Sequence, residues 1–166
     1  MPLTRPDVHV RRATVADIPA LVHHRVSMYR DMGDISPADE ARLSDATTNY
    51  FRSALDSGEY LAWLAVTSGA PEQVVAGAGL IVRPMIPRPG VAGGVEVREA
   101  QVVNVYTEPE WRRRGLAALV MQHLLDFTRA NHLHRVSLHA SDEGRPLYAS
   151  LGFAPTNEMR LAPPAG

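Results

Sequence analysis

A strand-length run, Val95 to Thr107, stops at Pro109, and Gly115 then opens an apolar stripe of Leu116, Leu119, Val120, Leu124 and Phe127. Apolar spacing of two before the proline and of helical period after it reads as strand, turn, helix. The first turn of a helix leaves N–H groups without intrahelical partners and carries the positive end of the helix dipole. That combination suits a diphosphate. Gly115 lets the backbone approach a ligand closely, Ala117 keeps a neighbouring position small, and Arg112, Arg113 and Arg114 add charge for phosphate oxygens. The same residues also describe an ordinary strand–loop–helix joint with a solvated arginine cluster. No Gly-Lys-Ser/Thr follows, so a Walker loop is excluded, and one glycine does not make a dinucleotide fingerprint.

Around this segment strands and helices alternate. Val8 to Arg12 is a short strand. Thr14 caps a helix through Ile18, Leu21, Val22, Val26 and Tyr29, with Asp17 in the capping-box position, and Gly33 ends it. Ser36 or Asp39 starts a second helix through Leu43, Thr47, Tyr50, Phe51 and Leu55, stopped by Gly58. Strands are expected at Tyr60–Thr67 and Val74–Val82. Arg83 to Gly90, with three prolines, is read as a loop because proline removes ladder donors. In Val95–Thr107, strict alternation puts Gln101, Val103, Val105 and Thr107 on one face and Val102, Asn104 and Tyr106 on the other. A helix from about Gly115 to Asn131, a strand Arg135–Ala140, a short helix Pro146–Leu151 closed by Gly152, and a last strand from Phe153 to about Leu161 complete the chain. The order β-α-α-β-β-β-α-β-α-β is a mixed α/β (α+β) fold with helices packed on a sheet.

The 166 residues fit a single domain, 1–166. Seventeen basic residues, all arginine, balance eighteen acidic ones, for a net charge of -1. Such a balance gives no field for nucleic acid, and no apolar run approaches the ~20 residues that span a bilayer. Met1 to Arg12 is polar and basic without an apolar h-region, so a cytoplasmic location is expected. The absence of cysteine removes disulfides, thiolate metal sites and any acyl-cysteine intermediate. No metal is expected, since His23-His24 diverge by about 100° on a helix and no third ligand has suitable spacing.

Two short motifs then point to a family. Arg112, Gly115 and Ala117 fit Arg/Gln-x-x-Gly-x-Gly/Ala, preceded by Thr107-Glu108-Pro109. Further on, Leu147-Tyr148-Ala149-Ser150-Leu151-Gly152-Phe153 fits Leu-Tyr-x-x-Leu-Gly-Phe without deviation. In this order and separation, residues 102–153 resemble the cofactor half of the GNAT N-acetyltransferases. The N-terminal half agrees only in its order of elements.

The resemblance implies a mostly antiparallel sheet flanked by helices, acetyl-CoA as co-substrate and an amine acceptor. It implies a strand that splays from its neighbour to admit the pantetheine arm, main-chain contacts at Val105 and Thr107 around Tyr106, and a diphosphate held by the turn from Arg112 through Arg113, Arg114, Gly115 and Leu116 to Ala117. Tyr148 stands where relatives place a general acid for the leaving thiolate. Ser141 replaces an asparagine that contacts pantetheine in many relatives, and its alternative role is to cap the short helix. Without cysteine, direct attack by the amine is the route.

The base is not marked by any motif. His139, at a strand end, and Glu99 are the candidates. A packed histidine and a solvated carboxylate are their structural alternatives. Asn104 is a candidate to orient an amine or to bond neighbouring backbone. The acceptor site is expected near His23, His24, Tyr29, Arg30, Tyr50 and the Arg83–Pro89 segment, with Arg25, Arg30, Arg83 and Arg88 as candidates for an anionic acceptor. A homodimer is compatible with the resemblance. The competing function is a non-catalytic acyl-CoA-binding or sensing module.

Overall fold

A computed structural model describes residues 7–166. Residues 1–6, the first half of the polar N-terminal stretch, lie outside the described residues. The elements in chain order are β1 (Val8–Arg12), α1 (Ile18–Met32), α2 (Pro37–Ser57), β2 (Tyr60–Thr67), β3 (Val74–Pro89), β4 (Val95–Thr107), α3 (Leu116–Ala130), β5 (Val136–Leu138) and α4 (Arg145–Ser150). Single 3-10 turns at Val15–Asp17 and Pro109–Trp111 precede α1 and α3. The five strands lie in the order β1-β2-β3-β4-β5. The first three pairings are antiparallel and β4–β5 is parallel. Among the described residues no helix is long and apolar enough to cross a membrane.

Local chemistry sets the helix ends. The Thr14 N–H donates to the Asp17 carboxylate at 2.7 Å. Gly33 and Gly58, at φ 72° and 77°, close α1 and α2 in the left-handed region where side-chain-bearing residues are strained. Helices α1 and α2 cover one face of the sheet, packing Ile18, Leu21, Val22, Val26, Phe51 and Ala54 on Ala62, Leu64 and Val66. Helix α3 covers the other, setting Leu116, Val120 and Leu124 against Trp63, Ala65, Leu80 and Val102. Strand β2 is therefore buried on both sides, which is why Tyr60–Thr67 is a near-continuous apolar run. Each fully buried Leu or Val contributes roughly 1.5–3 kcal/mol.

Three sequence expectations are corrected. First, Arg83–Pro89 is not a loop but the outer part of β3, in register with β4 through Pro84↔Arg98 and Pro89↔Val95. Strand β2 ends its pairing at Tyr60↔Ile81. Beyond that point β3 has a neighbour on one side only, and Pro84, Pro87 and Pro89 sit where the opposite edge needs no donor. Strands β3 and β4 thus run on as a two-stranded arm.

Second, the face assignment of Val95–Thr107 fails at Asn104. Gly77 pairs with Tyr106 while Gly79 pairs with Val103, so Ala78 alone stands opposite Asn104 and Val105. This is a β-bulge, with Asn104 at φ 58°. The bulge shifts the alternation by one residue. Val102 and Val105 both join the α3-side core, and Val103 joins the core under α1 and α2.

Third, the last strand does not form. Residues 153–166 have no strand conformation, and from Ala154 onward all are exposed. The adjacent edge, β5, has only three residues, and Pro155 removes a donor. The remaining element order is the one read from the sequence.

Candidate active site

Strands β4 and β5 pair only from Ala100↔Val136 to Val102↔Leu138. The bulge at Asn104 follows at once, and bulges add local bend and twist. From Val103 to Thr107 the β5-facing edge of β4 has no strand partner, so the sheet opens as a V. Asn104 ties the bulge to α1, its Nδ2 donating to the Leu21 carbonyl at 3.3 Å, and the side chain is buried. Asparagine is one of the few side-chain-bearing residues that enters the left-handed region readily.

At the wide end of the V the chain turns into α3. The Glu108 N–H donates to Val75 O at 2.9 Å, and the Arg112 N–H to Pro109 O at 3.3 Å. Arg113 and Gly115 adopt φ 60° and 75°. The amides of Arg113 through Ala118 then have no backbone acceptor, while Leu119 N–H returns to Gly115 O. This concave run of free N–H groups, at the positive end of a fifteen-residue helix, fits a diphosphate in donor type and in field.

The arginine side chains of the turn behave differently from one another. Arg112 is a clasp: its Nη2 lies 2.6 Å from Asp31 on α1, its Nε donates to Thr107 O at 3.0 Å, and its guanidinium stands 5.5 Å from the Tyr106 ring centre. Arg114 lies over the Trp111 ring and donates to Glu110 O. Arg113 is exposed.

Tyr148 comes from α4, just beyond the end of β5. It is half-buried, edge-on to Phe153 with ring centres 6.1 Å apart. Its hydroxyl makes no hydrogen bond among the described residues, and burial raises its pKa above the ordinary phenol value. Gly144 is required beneath it, since a Cβ there would lie 2.8 Å from the Tyr148 ring. Ser141 accepts the Gly144 N–H on its hydroxyl at 3.1 Å and the Arg145 N–H on its carbonyl at 3.0 Å, organising the entry to α4.

The structure separates the two base candidates. Glu99 stands opposite Arg83 in the β3–β4 register and is bound by it at 2.9 Å. It is a half-exposed carboxylate on a strand, fixed by an ion pair. His139 is exposed and accepts an N–H from Arg160 of the C-terminal segment at 2.9 Å. Glu96 pairs with Arg135 at 2.6 Å, away from Glu99's partner.

A cluster that sequence spacing did not reveal joins α1 to the end of β4. His23 Nε2 meets Glu108 Oε1 at 2.7 Å, and His24 Nε2 lies 3.7 Å from the same oxygen. The His24 ring is 5.1 Å from that of Tyr106. His24 is fully buried, and desolvation, helped by the charge on His23, lowers its pKa to about 4. The ring is therefore neutral near pH 7. Nothing in the local sequence couples positions so far apart, so Glu108 was read only as the residue before Pro109.

A groove of about 710 Å³ between α1 and α2 is lined by His23, Arg30, Glu40 and Thr48 among others, none from β4, β5 or α4. It does not open onto the V, and Arg30 within it is held by Glu40. No cluster of three or more potential metal ligands occurs among the described residues.

An open β4 edge feeding a turn of free amides at a helix start, with an unbonded tyrosine on the following short helix, defines a class. Residues 19–153 match the acetyltransferase (GNAT) family, and the chain belongs to it. The fold is closely similar to a GCN5-related N-acetyltransferase from Ralstonia eutropha JMP134, with TM-score 0.82, 28% identity, and 96% and 99% of the two chains covered. A predicted acetyltransferase from Clostridium acetobutylicum, solved with acetyl-CoA, is similar at TM-score 0.79 and 27% identity over 94% and 96% of the chains. Glucosamine 6-phosphate N-acetyltransferase from Trypanosoma brucei brucei is 30% identical over 90 residues, which are 54% of this chain. The match spans 57% of that relative's length.

Proposed function

We propose that the chain transfers the acetyl group of acetyl-CoA directly to a small amine, with Tyr148 assisting the leaving thiolate. The observation that carries this reading is the half-buried Tyr148 phenol on α4, the helix that follows β5, with no hydrogen bond to its hydroxyl among the described residues. A module that only bound acyl-CoA has no need of an unsatisfied phenol there. Bound acetyl-CoA supplies an activated thioester: the amine nitrogen gains the acetyl carbon, the C–S bond breaks, and the nitrogen's proton ends on sulfur.

The chain's residues divide the work. The amides of Arg113–Ala118 hold the diphosphate, while Arg112, clasped to Asp31 and Thr107, shapes the turn. The β5-facing main chain around Val105 and Tyr106 has no strand partner and offers hydrogen bonds to an extended arm, while the Thr107 carbonyl already accepts from Arg112. Tyr148, its pKa raised, stays protonated at working pH and donates a hydrogen bond to developing thiolate charge. Because a thiol of pKa about 8.5 is more acidic than this phenol, the hydroxyl chiefly stabilises the thiolate, and the ammonium proton completes the balance. An alkyl ammonium has a pKa of about 10, so the acceptor needs deprotonation. Glu99, on the α1 face and held by Arg83, is the carboxylate we assign to it. Positioning supplies much of the remaining rate.

Calorimetric titration with acetyl-CoA tests the cofactor half, with Gly115→Val as control. A β-branched residue at φ 75° costs more than the roughly 1–2 kcal/mol of an ordinary left-handed residue, so affinity should fall about tenfold or more. Thiol release across an amine panel tests transfer. Tight binding with no release on any amine supports the binding-module reading instead.

A further inference from the structure

We propose that the acceptor amine also carries an oxyanion group, phosphate or carboxylate, and that Arg25 binds it. This rests on the acetyl-transfer reading above and names the substrate class.

Three arginines among the described residues are not solvent-exposed: Arg11, Arg25 and Arg135. Arg11 holds Asp17 and Glu72, and Arg135 holds Glu96. Among the described residues Arg25 has no carboxylate within ion-pair distance. Its one protein hydrogen bond runs from Nη2 to the Tyr29 hydroxyl at 3.1 Å, and its guanidinium stands 4.9 Å from the Tyr29 ring centre. A guanidinium has five N–H donors in a planar fork that matches an oxyanion. Here the fork is held by the tyrosine one turn along α1, partly desolvated, with most of its donors unused.

The position fits the reaction. The carbonyl of Leu21 is anchored to Asn104 at the bulge. Arg25 follows one helical turn later on the same side of α1, about 6 Å along the axis. It directly follows His24, whose ring stands 5.1 Å from that of Tyr106, in the part of β4 that has no β5 partner. The Tyr50 phenol feels both the Arg25 and the Arg83 charges, and the Glu59 charge against them, which puts these groups in one neighbourhood. Arg83 is already committed to Glu99. Arg25 has no such commitment among the described residues, and it is the cation we assign to an acceptor whose amine approaches Glu99.

The test uses matched acceptors with the intact chain: glucosamine 6-phosphate against glucosamine for phosphate, and alanine against alaninamide for carboxylate. The proposal expects the anionic member of one pair to be preferred at least tenfold in kcat/KM. Arg25→Gln should raise KM for that member about 10- to 100-fold, bringing it within about threefold of its neutral partner, and Arg25→Lys should restore part of the preference. Unaltered melting temperature and acetyl-CoA affinity in Arg25→Gln show that the variant is folded. Equal use of charged and neutral members, or a preference that survives Arg25→Gln, overturns the proposal. So does failure of both anionic acceptors to be acetylated and to bind the acetyl-CoA-loaded protein in calorimetry. If neutral amines are then acetylated, the transfer reading stands alone. If acetyl-CoA itself does not bind, that reading fails and the inference falls with it.

Discussion

The wide end of the β4–β5 opening and the region beneath α1 are built from different materials. At the wide end the recognition surface is main chain: free amides from Arg113 to Ala118, left-handed turns at Arg113 and Gly115, and an unpaired strand edge. Beneath α1 it is side chain: the Arg83–Glu99 pair, Arg25 on Tyr29, and His23 and His24 around Glu108. Main-chain recognition needs a backbone path and little else, so it suits the part of a ligand that does not vary. Side-chain recognition can be changed one residue at a time, so it suits the part that does. In the proposed reading these are a cofactor face and an acceptor face, and such a division allows one fold to serve many acceptors.

In the reading proposed above Tyr148 is the side chain on which transfer depends, and its removal is the largest test of the contrast. Tyr148→Phe keeps the ring on Phe153 and deletes only the hydroxyl. Turnover should fall by about 10²-fold or more, the usual scale for losing one hydrogen-bond donor to developing charge. Acetyl-CoA affinity should stay within about threefold, because the amides are untouched. Turnover and calorimetry on one preparation separate the two, and full activity in the variant removes Tyr148 from the mechanism.

The second test asks whether the side-chain face is the pH-sensitive one. His24 is neutral in the folded protein down to about pH 4, against an ordinary value of 6.5. Between those values the unfolded chain takes up a proton that the folded chain refuses, so stability falls as pH drops from 6.5 towards 4 and levels off below. The loss is about 3 kcal/mol for a shift of this size. His23, Glu108 and Tyr106 surround the ring, and no arginine pairs with it. His24→Leu should flatten this part of the stability–pH curve in chemical denaturation. A slope unchanged by the substitution places its source elsewhere.

What could be read in advance follows the same division. The strand–Pro109–Gly115–helix joint and the Leu147–Phe153 motif were legible because a main-chain site leaves local marks: a proline, a glycine, a small residue, a helical stripe. The sheet, its helices and most boundaries were legible from periodicity. The bulge was not, because Asn104 sits in a regular alternation and shows its left-handed backbone only when Gly77 and Gly79 are placed opposite. The prolines of Arg83–Pro89 exclude a strand paired on both edges, and this one has an edge free. Arg25 was one candidate among several. Its distinction is the carboxylate it lacks, and only three-dimensional neighbours decide that.

Asn104 lies where the two faces meet, and it offers the smallest and most discriminating test. Its left-handed backbone opens the V, and its amide holds Leu21 and therefore α1. Asn104→Ala loses both the conformational tolerance and the tether, at roughly 1–2 kcal/mol for the backbone and about 1 kcal/mol for the hydrogen bond. Asn104→Gly loses only the tether. Denaturant midpoints should therefore rank Asn above Gly above Ala, with Ala lower than Gly by about 1 kcal/mol. Acetyl-CoA affinity should follow the backbone term, near normal in Gly and weakened in Ala, while acceptor KM should follow the tether and rise in both. If Ala and Gly match in stability and in affinity, the bulge is held by its neighbours in β3, and the opening of the V belongs to the sheet and not to this residue.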